Sequence, residues 1–228
     1  MKTVVYGATR NIYRNVIPCV RSCIENGNVD RIVILCEDKR FPYDFGSMVE
    51  TVDVSGQTWF DWNAPSVQTR WTYMCLMKCA LTELFPELDR VVFLDCDTIV
   101  LHDLSDLFTM DMYDNYYAMV RQNNDGRHGK FTKGEYFNTG VLVCNLSLLR
   151  DGKEAELRES LNKDSWRYPE QDCINKLCKG RIMSLGGRWN YTIFNVDDHA
   201  IYIRHFAANP TWRNEEYLGQ KYDDSSIR

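Results

Sequence analysis

Nowhere in the 228 residues is there an apolar stretch approaching the roughly 20 residues that span a bilayer, which argues against stable membrane insertion. Basic residues are not in excess. Lys and Arg number 27 against 32 Asp and Glu, a net charge of −5 that argues against a general nucleic-acid binder or a protein held on anionic lipid. The nine cysteines are odd in number and include no Cys-x-x-Cys pair, which suits reduced thiols better than a disulfide framework or a zinc site. The start, Met1-Lys2-Thr3-Val4-Val5-Tyr6-Gly7, lacks the apolar region and cleavage site of a signal peptide, so the expected compartment is cytoplasmic. Without secretion, Asn145-Leu146-Ser147 and Asn190-Tyr191-Thr192 read as chance matches to the glycosylation pattern. Internal repeats, low-complexity tracts and linkers are also missing.

What is present is ordinary globular composition, 44% hydrophobic and 26% charged, in a chain long enough for one domain with a sizeable core. Val4–Tyr6 predicts a first strand and Arg31–Cys36 a second buried one, with Val49–Val52 a third. Helical spacing covers Asn11–Glu25, and a long helix is expected over Ser66–Leu84. Arg90–Val100 reads as another buried strand. Tyr116–Val120, Tyr136–Asn145 and Ile201–Phe206 follow as strands, with a polar loop at Gln122–Gly134 and an amphipathic helix at Leu146–Leu161. Strands alternating with helices predict an α/β fold, a mostly parallel central sheet with helices on both faces. Ligands of such sheets sit beyond the carboxyl ends of the strands.

The most informative segment is Leu94-Asp95-Cys96-Asp97-Thr98. On a continuous strand Asp95 and Asp97 would share one face. Two like charges so close resist burial unless a cation joins them, and oxygen ligands suit Mg²⁺ or Mn²⁺. A strand end with two solvated acids is the plainer alternative. Gly140, inside a strand, marks a bulge or a close approach by another backbone or a ligand. Glu170 to Asp172 open a helix, where acids fit the dipole.

Five segments in order carry a resemblance: Asp95-Cys96-Asp97, Phe137 to Leu146 (FNTGVLVCNL), Glu170 to Asn175 (EQDCIN), Trp189-Asn190-Tyr191 and His205-Phe206. From Val4 to Trp212 the chain resembles glycosyltransferase family 8, which includes bacterial lipopolysaccharide galactosyl- and glucosyltransferases and glycogenin. The resemblance implies a nucleotide-sugar fold of the A type and a bacterial source. It implies a single domain over 1–228, with a nucleotide-binding half (1–115) and a sugar and acceptor half (116–228). The implied activity is metal-dependent, retaining hexose transfer from a UDP-sugar to a glycan or lipid-linked saccharide. Asp95, Asp97 and His205 would be the metal ligands, and an imidazole beside two carboxylates favours Mn²⁺ over Mg²⁺. The Cys96 backbone would sit near the ribose. Asn138, Thr139 and Gly140 would form a sugar-facing turn, with Asn138 bonding donor hydroxyls. Glu170, Gln171 and Asp172 would lie under the sugar, Gln171 stabilising positive charge at the anomeric carbon and Asp172 binding a hydroxyl.

The chain also departs from the family pattern. An Asp-Asp-Asn-Tyr tetrad that holds uracil and ribose is replaced, after Ala8, by Thr9, Arg10, Asn11 and Ile12, with Tyr13 one place late. An Arg on the phosphates is replaced by Cys75; Lys78, one turn on, supplies the charge or is a solvated surface lysine. Glu170 stands where an Asp is common. A Gly and a Lys-Pro-Trp after the metal His are absent, leaving Arg213 to compensate. The tail, Tyr222–Arg228, is short and polar. Trp59 and Trp62 either stack an acceptor sugar or cover the core. Two other readings compete: a non-catalytic sugar-nucleotide-binding relative, and a haloacid-dehalogenase-type phosphatase. The latter fits poorly, because its Asp-x-Asp usually opens the chain and a Thr or Val stands where this chain has Ile99.

Overall fold

The structure, a computed structural model, describes residues 1–122, 135–192 and 200–207. The Gln122–Gly134 loop from Asn123 onward, and Trp212, Arg213 and the Tyr222–Arg228 tail, lie outside the described residues. Among the described residues no helix is long and apolar enough to cross a membrane.

β-Branched and apolar runs form the strands β1 (Thr3–Ala8), β2 (Arg31–Cys36), β3 (Val49–Asp53), β4 (Arg90–Leu94), β6 (Tyr117–Arg121), β7 (Phe137–Asn145) and β8 (Ile182–Leu185). They make one seven-stranded sheet in the order β3-β2-β1-β4-β7-β6-β8. Neighbours β3, β2, β1 and β4 run parallel; β7 is antiparallel to both β4 and β6, and β8 is parallel to β6. The strands of residues 1–115 fill one side of the sheet and those after 116 the other, joined where β4 pairs with β7. A separate two-stranded sheet pairs β5 (Thr98–Val100) with β9 (Ile203–His205) antiparallel.

Alternate residues of each strand enter two different apolar layers. Val5, Val33 and Leu35 join one layer with Leu157, Leu161, Cys173 and Ile174, from helices α5 (Glu154–Lys163) and α6 (Pro169–Leu177). Val4, Tyr6, Ile32 and Ile34 join the other with Val16, Val20 and Cys23 of α1 (Val16–Asn26) and Leu107 of α3 (Ser105–Thr109). The expected sheet with helices on both faces is what the chain builds.

Three helices differ from expectation. The first starts at Val16, not Asn11, because Pro18 lacks an N–H and its ring blocks the carbonyl four residues back; it fits only in a first turn. Ser66–Leu84 is not one helix but a 3₁₀ segment, Tyr73–Cys79, and a short α2 (Leu81–Leu84). Thr69 and Thr72 hold the preceding segment open, their hydroxyls accepting the Trp71 and Met74 N–H groups. Leu146–Leu161 is broken between α4 (Leu146–Leu148) and α5 at Asp151-Gly152, where Gly152 has φ +97°.

Leu142 lies at the centre of β7, fully buried and opposite Phe93 of β4. Leu142→Ala should cost about 2–5 kcal/mol, seen as a lower urea midpoint with the secondary structure retained.

Candidate active site

The expectation that Asp95 and Asp97 sit on one continuous strand is corrected: β4 ends at Leu94, and Asp95-Cys96-Asp97 is a turn leading into β5. Hydrogen bonds set the turn. The Asp95 N–H donates to the Gly140 carbonyl at 2.9 Å, the Thr98 hydroxyl to the Asp95 carbonyl at 2.8 Å and the Cys96 thiol to the Gly7 carbonyl at 3.1 Å. The turn releases β5 from the main sheet to pair with β9, register Thr98 with His205. The Phe206 N–H then donates to the Asp97 carbonyl at 2.8 Å. A residue distant in sequence thereby arrives beside both acids.

Asp95, Asp97 and His205 each offer one ligand atom, all within 4.8 Å of one another. His205 Nε2 lies 3.1 Å from Asp97 Oδ1 and 3.9 Å from Asp95 Oδ2. Its Nδ1 is 2.8 Å from Asn190 Oδ1, while the Asn190 amide donates to Asn138 Oδ1 at 2.8 Å. Because the Asn190 nitrogen faces Asn138, its oxygen faces the ring, so His205 carries its hydrogen on Nδ1. The bare Nε2 of the neutral ring therefore confronts two carboxylates. Only a cation, proton or metal, reconciles the three groups, so this donor set fits a divalent ion.

Gly140 explains how the ring reaches this place. A Cβ on Gly140 would fall 2.1 Å from His205 Cε1 and 2.5 Å from Nδ1. Both readings of this glycine hold in part: the β6–β7 register shifts across it, from Val143 opposite Ala118 to Asn138 opposite Val120, and the close approach is made by a side chain, the imidazole, and not by a backbone or a ligand. His205 is buried, which by itself would lower its pKa, but Asp97 more than offsets this and holds it above the usual 6.5. Burial likewise opposes the Asp97 charge, yet His205 prevails and the carboxyl sits below 3.8. Asp95 is raised by burial and by the Asp97 charge, although Lys78 draws it down.

Lys78 is not a solvated lysine. Its side chain is 1% exposed, with Nζ 2.7 Å from Asp95 Oδ1 and 3.1 Å from Glu170 Oε1. Burial opposes its charge, but the two carboxylates outweigh burial and keep the ammonium protonated. With all three acids ionised, Lys78 balances one of Asp95, Asp97 and Glu170, and two negative charges remain.

From Glu170 a polar chain continues along α6. The Thr139 hydroxyl donates to Glu170 at 3.1 Å, and the Thr139 N–H donates to Gln171 Oε1 at 3.1 Å. Gln171 Nε2 donates to the Tyr136 hydroxyl at 2.9 Å, and that hydroxyl donates to Asp172 Oδ1 at 2.5 Å. Asp172 also accepts the Tyr168 N–H at 3.0 Å and is 3% exposed, so both of its oxygens are engaged inside the fold. Burial and then Asp172 raise the Tyr136 hydroxyl pKa, keeping it a donor.

An open cleft of about 530 Å³ lies beyond the ends of β1 and β2, lined by Thr9, Arg10, Asn11, Glu37, Arg70, Trp71 and Thr72. Thr9 and Asn11 line this cleft, whereas Ala8 is fully buried and Ile12 half-buried, and neither is among the lining residues. Tyr13 does not line the cleft; it is buried edge-on against Phe41 at 5.0 Å. Trp59 packs half-buried against the core, and Trp62 is 45% exposed, edge-on to Tyr73 at 4.9 Å. Asn190, Tyr136 and Trp71 are site residues to which the sequence reading gave no role. Asn190 lay within a motif quoted for the resemblance; Tyr136 and Trp71 carried no spacing signal.

A parallel sheet that changes direction beside an acid-tipped strand, with a cleft at the same rim, is the architecture of A-type nucleotide-sugar transferases. The solved galactosyltransferase LgtC, in complex with donor and acceptor sugar analogs, matches with TM-score 0.71 at 18% identity, over 95% of this chain and 93% of that one. Glycosyltransferase GlyE of Streptococcus pneumoniae matches with TM-score 0.72 at 21% identity, over 99% of this chain and 62% of that one. Residues 19–211 match the model of glycosyl transferase family 8, and the chain belongs to that family. Among relatives by sequence, a putative glycosyltransferase of Haemophilus influenzae is 27% identical over 49% of this chain and 37% of its own length. A lipopolysaccharide 1,2-glucosyltransferase of Escherichia coli is 30% identical over 48% of this chain and 35% of its own length. These alignments span about a third of either relative.

Gly140→Ala should push His205 off the acids, and Asn190→Ala should free its ring. Each should weaken divalent-metal binding by roughly 10- to 100-fold in calorimetric titration and also lower the unfolding midpoint, because both positions are buried and both changes disturb the seat of His205. The His205–Asp97 pair also sets a pH dependence for the metal-free protein. The raised His205 contributes stability in full below pH 6.5 and loses it as pH rises through its folded pKa. The depressed Asp97 contributes above pH 3.8 and loses it as pH falls through its own. Thermal melts should therefore show the pair stabilising most between those two values, while divalent-metal affinity climbs as His205 deprotonates.

Proposed function

We propose that the chain is a divalent-metal-dependent, retaining glycosyltransferase that moves a hexose from a UDP-sugar to a hydroxyl of a glycan or lipid-linked saccharide. The observation that carries this reading is the convergence of Asp95, Asp97 and the tautomer-fixed Nε2 of His205 at the strand ends, beside an open cleft. These three residues would hold Mn²⁺, or Mg²⁺ with weaker preference, because two oxygens and one imidazole nitrogen suit the softer ion. When bound there, such an ion would supply positive charge for the departing diphosphate. The likeness to a lipopolysaccharide 1,2-glucosyltransferase and to a galactosyltransferase in complex with donor and acceptor sugar analogs supports a sugar donor and a saccharide acceptor.

This chain's own residues divide the remaining work. Thr9 and Asn11 line the cleft for the nucleoside end of the donor, and the Cys96 backbone sits at the same rim, tied to β1. Lys78 bridges Asp95 and Glu170 and holds them in place, so the turn does not splay under its own repulsion. Asn138 uses its carbonyl on Gly140 and Asn190, leaving its amide hydrogens for a donor-sugar hydroxyl. Gln171 is clamped at both ends by Thr139 and Tyr136, so its amide dipole is preset. An amide is a weak nucleophile. Gln171 therefore acts by stabilising positive charge at the anomeric carbon, while the departing phosphate oxygen takes the acceptor's proton on the same face. Asp172 positions Tyr136 and the start of α6 from beneath.

With Mn²⁺ present, UDP should raise the melting temperature, and a panel of UDP-hexoses should include one that is turned over. Asp97→Ala should lower turnover by at least about 100-fold, a loss of roughly 3 kcal/mol in transition-state stabilisation. Absence of both UDP binding and turnover across the panel would count against the assignment, and binding without turnover would select a non-catalytic relative.

A further inference from the structure

The cleft raises a problem that its own residues answer. A nucleoside needs a flat surface, yet Tyr13, the aromatic nearest in sequence to the cleft loop, is buried against Phe41 and bonded to Asp38. Of the residues lining the cleft, Trp71 alone is aromatic, and it is 40% exposed. It comes from a different segment, the stretch that the threonines hold out of helical conformation.

We infer that Trp71 is the stacking platform for the base of the nucleotide donor, facing Thr9 and Asn11 across the cleft; this rests on the nucleotide-sugar reading above. Three observations support it. The Arg70 guanidinium, an exposed planar cation, already lies over the indole ring, 4.7 Å from its centre, so a base stacks on that face by taking the place of this side chain. Indole Nε1 donates to the Arg167 carbonyl at 3.1 Å and the ring meets Tyr168 at 5.8 Å, so the side chain is anchored although exposed. An anchored aromatic loses little rotamer freedom when it binds. The cleft also lies at the metal trio's rim: Gly7, one strand over from Asp95, accepts the Cys96 thiol.

The arrangement has a second effect. Tyr168 immediately precedes α6, and its N–H donates to Asp172 beside Gln171. Trp71 therefore touches the base on one side and the start of the sugar helix on the other. It is a specificity-determining residue for the nucleoside, and a link between nucleoside binding and the α6 side chains.

The test compares wild type, Trp71→Ala and Trp71→Phe by calorimetric titration with Mn²⁺ and either UDP or inorganic pyrophosphate. Circular dichroism and melting temperature serve as fold controls. Stacking predicts that Trp71→Ala weakens UDP by roughly 5- to 100-fold, that Trp71→Phe recovers most of the loss, and that pyrophosphate, which has no base, binds all three alike. Quenching of tryptophan fluorescence by UDP should shrink in Trp71→Phe. Equal UDP affinity in wild type and Trp71→Ala would overturn the platform while leaving the transferase reading intact. An equal loss for pyrophosphate would overturn it too, by exposing a general disturbance. No nucleotide binding by wild type would remove both readings together.

Discussion

Mutual repulsion between Asp95 and Asp97 is the constraint around which the rest is arranged. Two half-buried carboxylates in one tight turn are tolerable only with positive charge at hand. The fold supplies a permanent cation in Lys78 on one side and a switchable one in His205 on the other. Neither alone neutralises the cluster once Glu170 is included. The deficit of positive charge is what makes the site receptive to a divalent ion.

The backbone makes that arrangement possible. Breaking the strand at Leu94 turns the acids out of the main sheet and gives β5 to a partner strand that carries His205. Gly140 removes the atom that would otherwise stand where the imidazole sits, and its carbonyl holds the turn through the Asp95 N–H. One residue thus acts twice, by an absence and by a hydrogen bond. Asn190 and Asn138 then settle which ring nitrogen is bare. The relay is built from neutral amides, which orient the ring without adding charge to a crowded site.

Much of this was legible in the sequence, and the gaps have identifiable causes. The strands were readable because β-branched runs bounded by polar residues leave few alternatives, and β2 falls where the pattern puts it, at Arg31–Cys36. The trio Asp95, Asp97 and His205 was accessible through the resemblance, since no spacing rule connects residues so far apart. The helices were less readable. Helical periodicity in Ser66–Leu84 is real, but side-chain hydroxyls at Thr69 and Thr72 compete for the backbone, a local effect that periodicity does not record. Lys78 was visible as a charge, but its burial between two acids was not, because both partners come from other elements. Trp71 was silent for the same reason: its importance lies in facing a loop from the opposite end of the first half.

The two-stranded sheet of β5 and β9 has a consequence for assembly. His205 is distant in sequence from the acids of the β4–β5 turn, so those acids gain their imidazole only when β9 docks on β5. The site is completed by a late, long-range contact between two strands of three residues each, too short to persist unaided. An ion gripping both strands at once would act as a rivet between two distant stretches of the chain, linking the capacity to hold metal with the docking of β9 on β5.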